Sequence, residues 1–174
     1  MPTFKLIASS AVGAGGASSI TFSSIPQTYT DLVLSLSLRH DSTAGDIRIR
    51  FNGSSSSIYS RINLYNSNGS AGSNSGSSQD AFYTSGTSDP SSYTASTFSN
   101  CQFYIPNYTS SNNKSLSKDA VTENNGTNIR LELSAGLWAS SSAITSITVE
   151  ANDGGTAANF VQYSTAYLYG ISNA

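Results

Sequence analysis

The chain has 174 residues, a length that fits one domain. Charged residues make up 10% and the net charge is −2, against ~25% charged residues in ordinary soluble domains. Eight scattered basic residues exclude the clustered Lys/Arg face that nucleic acid requires, and a hydrophobic content of 37% excludes charge-driven disorder.

Taken in chain order, Phe4–Ala8 and Ile20–Ser23 are weak strand candidates, separated by a turn or flexible link over residues 11–18 (AVGAGGAS). Pro26 then leads into the best-written segment. Leu32, Leu34, Leu36 and Leu38 alternate with Val33, Ser35, Ser37 and Arg39, which predicts a strand with leucines inward and the other four outward. Ile47, Ile49 and Phe51 alternate in the same way and stop at Asn52-Gly53, a reversal dipeptide. Ile58, Ile62 and Leu64 alternate with Tyr59, Arg61, Asn63 and Tyr65.

Residues 66–79 (NSNGSAGSNSGSSQ) are low in complexity and predict a long flexible surface loop. A second loop is predicted over 84–96, after a weak strand at Ala81–Ser85. FSNCQFYIP, Ile129–Ser134, Ile147–Ala151 and NFVQYSTAYLYGI complete the alternating set, with Lys114–Thr122 a further weak strand candidate. One helical turn near Gly136–Ser142 is the sole helix candidate. About eight to eleven strands result, in an all-β, antiparallel sandwich of jelly-roll or Greek-key type spanning residues 1–174 as a single domain. With 37 serines, the outer faces should be built from Ser, Thr and Asn in place of Lys and Glu.

Chemistry is hard to find. The sole histidine, His40, follows the leucine strand in LRHDS and reads as a structural loop residue, although Asp41 and any serine complete a triad on paper. The DSTAGD segment (Asp41–Asp46) lacks the EF-hand spacing and reads as a polar hairpin loop. No carboxylate pair marks a glycosidase. The lone Cys101 lies in an alternating run and reads as a small buried hydrophobe. Phosphate-cradling, dinucleotide and Cys/His metal spacings are absent from the sequence, so no cofactor, no metal and no enzymatic activity is expected.

Aromatic residues are the better clue. Trp138 is placed at a strand end, and Tyr163, Tyr167 and Tyr169 are placed on one face of the last strand, opposite Phe160, Ala166 and Leu168. If the latter set is core, the tyrosines form an outward contact surface for a protein partner or, as the second choice, a sugar.

The phrases ITFSSIPQTYTDLVL, IRIRFNG, IPNYTSSNNKSLSKDAVTENN, GLWASSSAITSITV and NFVQYSTAYLYGI resemble small β-rich virion structural proteins of tailed bacteriophages, particularly phages of aquatic bacteria. The resemblance spans most of the chain and maps no catalytic residue. It implies a β-rich protein attached to capsid or tail, and the reading adopted is a capsid decoration (cement) protein, expected as a homo-trimer on the virion surface bound to the major capsid protein or other virion proteins. The alternative it leaves is a tail or fibre-tip module binding host carbohydrate. The N-terminal apolar run is too short for a signal peptide and no 18-residue apolar stretch occurs, which suits assembly in a host cytoplasm, with neither membrane nor nucleic acid as partner.

Overall fold

The computed structural model describes residues 3–43, 45–126, 129–154 and 156–172. Ala44 of the DSTAGD segment lies outside them. Thirteen strands and no helix occur among the described residues. In chain order they are β1 (Thr3–Ala11), β2 (Ser19–Phe22), β3 (Asp31–Ser37), β4 (Asp46–Phe51), β5 (Tyr59–Ser67), β6 (Ser70–Gln79), β7 (Phe82–Thr84), β8 (Asn100–Ile105), β9 (Lys114–Glu123), β10 (Ile129–Trp138), β11 (Ile147–Asp153), β12 (Thr156–Ala157) and β13 (Thr165–Ser172). The four weak candidates are all strands, and the proposed helical turn is instead the end of β10 and an extended stretch after it.

The strands form two antiparallel sheets that make a β-sandwich. The larger has eight strands in the order β1-β13-β3-β8-β9-β10-β5-β6. The smaller has five, β12-β11-β4-β7 with β2 also paired to β11. A jelly roll divides eight strands between two sheets. Sheets of eight and five, with the meander β8-β9-β10, are better described by their own strand order.

Alternation builds the core as expected in half of the molecule. Leu32, Leu34 and Leu36 of β3 and Phe103 and Ile105 of β8 face Ile47, Ile49 and Phe51 of β4 and Ile147 and Val149 of β11, all at most 2% exposed. Phe82 of the small sheet meets Phe103 of the large one edge to face, centroids 6.1 Å apart. One edge of the Phe82 ring also packs on Gly136, where a Cβ would fall 2.1 Å from its Cε2, so the sheets can close only over glycine there.

Residues 66–79 are not a loop. Asn68 and Gly69 have φ of 52° and 84° and pair Ser67 with Ser70, a two-residue hairpin joining β5 to the ten-residue β6. The Asn-Gly dipeptide was the signal, masked by the serine-rich composition around it. The 84–96 segment does lie between strands, but it is anchored. Thr87, Ser88 and Asp89 are fully buried. Arg39, placed outward by alternation, is 9% exposed. Its guanidinium donates to the carbonyls of Ser91 (3.3 Å), Tyr93 (3.0 Å), Thr94 (2.9 Å) and Thr97 (3.2 Å). Four converging carbonyls explain why a cation is drawn under the loop.

Where this loop turns back, Gly86 donates its N–H to Asp46 Oδ1 at 3.1 Å. Burial pushes the Asp46 carboxyl above its ordinary 3.8, outweighing the opposing Gly86 N–H and Arg130. A raised carboxyl pKa means that the folded state holds the proton more tightly. Its contribution to stability is therefore fully present below the unfolded value and lost as pH rises through the folded one. Asp46→Asn is expected to flatten this part of the melting-temperature profile above pH 3.8. An unchanged profile would show that Asp46 titrates normally.

Candidate interaction surface

Register settles which residues share each face of the large sheet. Across β10, Leu133 stands opposite Leu64 of β5 and Asp119 of β9, and Leu131 opposite Val121. Continuing through β8, β3 and β13 to β1, the same face carries Tyr104, Val33, Tyr167, Tyr169, Leu6 and Phe4. This is the face turned away from the small sheet. Of the eleven large hydrophobic side chains exposed among the described residues, ten lie on it, Tyr163 being the exception.

The expectation of a hydroxyl coat therefore fails at one end of the molecule. Ile62, Leu64, Leu131 and Leu133 are 54%, 61%, 50% and 62% exposed. Their alternates point inward instead. Lys118 and Glu132 have side chains with 0% exposure and form an ion pair at 2.5 Å. Arg130 closes on the second carboxylate oxygen at 2.7 Å and places its guanidinium 4.3 Å from the Tyr65 ring centroid. Ser134 donates to Glu132 at 3.3 Å, and Lys118 reaches Thr87 Oγ1 at 3.4 Å. This half of the sheet is inside out: charges within, leucines in water.

Desolvating such a triad costs several kcal/mol per ion before pairing returns it. Leucines left in water forgo ~1.5–3 kcal/mol each of full burial. A one-residue slip of a strand would reverse both penalties. Bearing both penalties makes sense if something covers the leucines. A contiguous apolar face of this kind is uncommon on a monomer, which makes it the candidate surface of this molecule.

The outer face of the small sheet is the opposite. Glu150 pairs with Arg48 and, at 2.7 Å, with Arg50, which also reaches Asp80 at 2.8 Å. These charges share the face with Tyr83 and Thr148 and form an ordinary solvated surface.

The aromatic residues singled out by sequence divide. Ala166, Leu168 and Phe160 are all buried, so Tyr167 (39% exposed) and the half-buried Tyr169 do face outward on β13. Tyr163 is 71% exposed but precedes the strand, in a turn with φ of 74°, and is not on that face. Trp138 is corrected to a core residue: it is 2% exposed, packed on Phe51 at 5.6 Å and Tyr59 at 6.3 Å. At β10 its position shares parity with Glu132 and Ser134, the inward set. The four aliphatic residues Ile62, Leu64, Leu131 and Leu133 were visible as alternation but were not recognised as surface, because alternation alone does not say which face is covered.

His40 and Asp41 each have a structural place. His40 is fully buried with its ring 5.2 Å from that of Phe160. The Asp41 carboxylate instead accepts from the backbone N–H of Asn159 at 2.8 Å and from its side-chain amide at 2.9 Å. Cys101 is buried, and burial pushes its thiol pKa up, away from reactivity.

Comparison with protein-family models, with curated proteins and with solved structures found no match to this chain.

Proposed function

We propose that this chain is a structural subunit of a virus particle, a capsid decoration protein of a tailed bacteriophage that seats on its neighbours through the outer face of the eight-stranded sheet. The observation that carries an assembly role is the inside-out half of that sheet, with the Lys118–Glu132–Arg130 triad buried and Leu64, Leu131 and Leu133 in water. The phage assignment rests on the resemblance of the quoted sequence phrases. A three-fold arrangement would place the apolar face against shell or sister subunits and leave the charged small sheet outward. Contacts of ~1,200–2,000 Å² in total are the usual size of a stable interface.

The test is a paired substitution, Leu64→Asp with Leu133→Asp. Both side chains are mostly exposed, so the fold and melting temperature should be unchanged. Each lost burial is ~1 kcal/mol and each buried carboxylate adds more, so association should weaken by at least about 100-fold. Sedimentation velocity reads this directly for self-association, and co-sedimentation with the particle reads it for shell binding. Copy number separates head from fibre: abundance near that of the major capsid protein supports decoration, whereas tens of copies or fewer would sink it. Unchanged association in the double variant would remove the sheet face from the interface.

A further inference from the structure

A second concave site lies away from the apolar face, where the small sheet ends at β7 and the β5–β6 hairpin of the large sheet comes beside it. Asp46, Arg61, Gln79, Tyr83, Ser85 and Asn152 line a cleft of about 330 Å³. That is at the low end of small-ligand clefts, ~300–1,000 Å³. Its polar groups are held in place. Arg61 Nε donates to Gln79 Oε1 at 3.2 Å and Nη1 to Asn74 Oδ1 at 2.8 Å. Gly76 leaves room for the Gln79 amide, since a Cβ there would sit 2.7 Å from it. Asp46 spends Oδ1 on Gly86.

What these bonds leave over is a mixed set. The second Asp46 oxygen accepts, and Arg61 Nη2 and the Gln79 amide nitrogen donate. Asn152 is the most telling member. It is 7% exposed, its backbone is paired to Asp46 in the sheet, and its side-chain amide makes no hydrogen bond among the described residues. Its polar atoms are open to solvent in the cleft, so a ligand can bond to them without displacing a protein partner. One guanidinium and one carboxyl balance in charge, so nothing selects an ion. Alternating donors and acceptors on planar groups match the vicinal hydroxyls of a sugar, each of which both donates and accepts. Tyr83 is the aromatic residue of the lining, the side-chain type on which a sugar's C–H face can pack.

We infer that this cleft binds a neutral saccharide of one or two rings. The site is independent of the apolar sheet face and stands or falls separately from the assembly role.

The experiment titrates the isotopically labelled full chain with lactose, cellobiose, chitobiose and mannobiose, with inorganic phosphate as the ionic comparison, and follows amide and side-chain NMR shifts. At least one disaccharide should produce saturable shifts at the Asn152 side-chain amide, Arg61 and Tyr83. Asn152→Ala keeps the β11 backbone pairing and should weaken that binding roughly 10-fold or more. Arg61→Met should do the same, with its melting curve recorded alongside. The wild-type shift map requires no variant, so a poorly folded substitution does not obscure the result. No saturable shift with any of the four sugars, saturation by phosphate in their place, shifts confined to Tyr167 and Tyr169, or undiminished binding in Asn152→Ala each overturns the assignment.

Discussion

Glu132→Ala is expected to destabilise the protein by about 3–5 kcal/mol, the range for removing one member of a buried ion pair. The loss is not the worth of the salt bridge. Lys118 has 0% side-chain exposure and would be left with Thr87 Oγ1 at 3.4 Å as its remaining hydrogen-bond acceptor. Arg130, 17% exposed, would turn towards solvent and lose its carboxylate. Urea denaturation measures the change as a shift in midpoint at constant slope. The double variant Lys118→Met, Glu132→Leu removes both charges while keeping volume, and should recover most of the loss. A large recovery separates the stranded charge from the packing. If Glu132→Ala costs under about 1 kcal/mol, the carboxylate is solvated and the inside-out reading of β9 and β10 fails.

Trp138→Ala is the second large effect, about 3–5 kcal/mol as for other buried aromatic truncations. The indole fills the space between Phe51 and Tyr59, with interplanar angles of 61° and 25°. Tyr59 in turn accepts the Phe51 N–H through its hydroxyl at 3.0 Å, so the cavity would open beside a hydrogen-bonded ring. Trp138→Phe should cost much less, because the indole N–H has no hydrogen-bond partner among the described residues and its removal leaves nothing unsatisfied. Thermal melts of both variants decide it. A normal melt for Trp138→Ala combined with lost association would return the tryptophan to the contact surface where sequence alone placed it.

Much of the sandwich was legible. Leu34 and Leu36, Ile47 to Phe51 and Ile147 to Val149 alternate with polar residues and are buried in that pattern, whereas Val33, expected outward with Ser35, is buried as well, on the other face of β3. Tyr167 could be read as outward because Ala166 and Leu168 are the more apolar alternative on β13. The β6 strand was not legible, since SAGSNSGSSQ contains no β-branched or aromatic residue and gains its conformation from pairing with β5. Arg39 was missed for a related reason: the carbonyls that hold it come from 52 to 58 residues away in sequence.

The candidate surface was hidden differently. Leu131 and Leu133 were seen to alternate with Arg130, Glu132 and Ser134, and Ile62 and Leu64 with Arg61 and Asn63. Such a pattern states that a strand has two unlike faces. It does not state which is covered, and the usual assumption puts the apolar one inside.

What the sequence determined by itself was local: period-two strands, the Asn-Gly turn, the scarcity of charge, and the absence of a catalytic motif. The tertiary structure decided the direction of the faces. The five-stranded sheet caps only part of the eight-stranded one, and the space beyond it is closed by the polar 84–97 segment carrying Thr87 and the carbonyls bound to Arg39. Opposite that polar lining a charged strand face can be satisfied and a leucine face cannot. Lys118 and Glu132 therefore turn in, and Leu64 and Leu133 turn out.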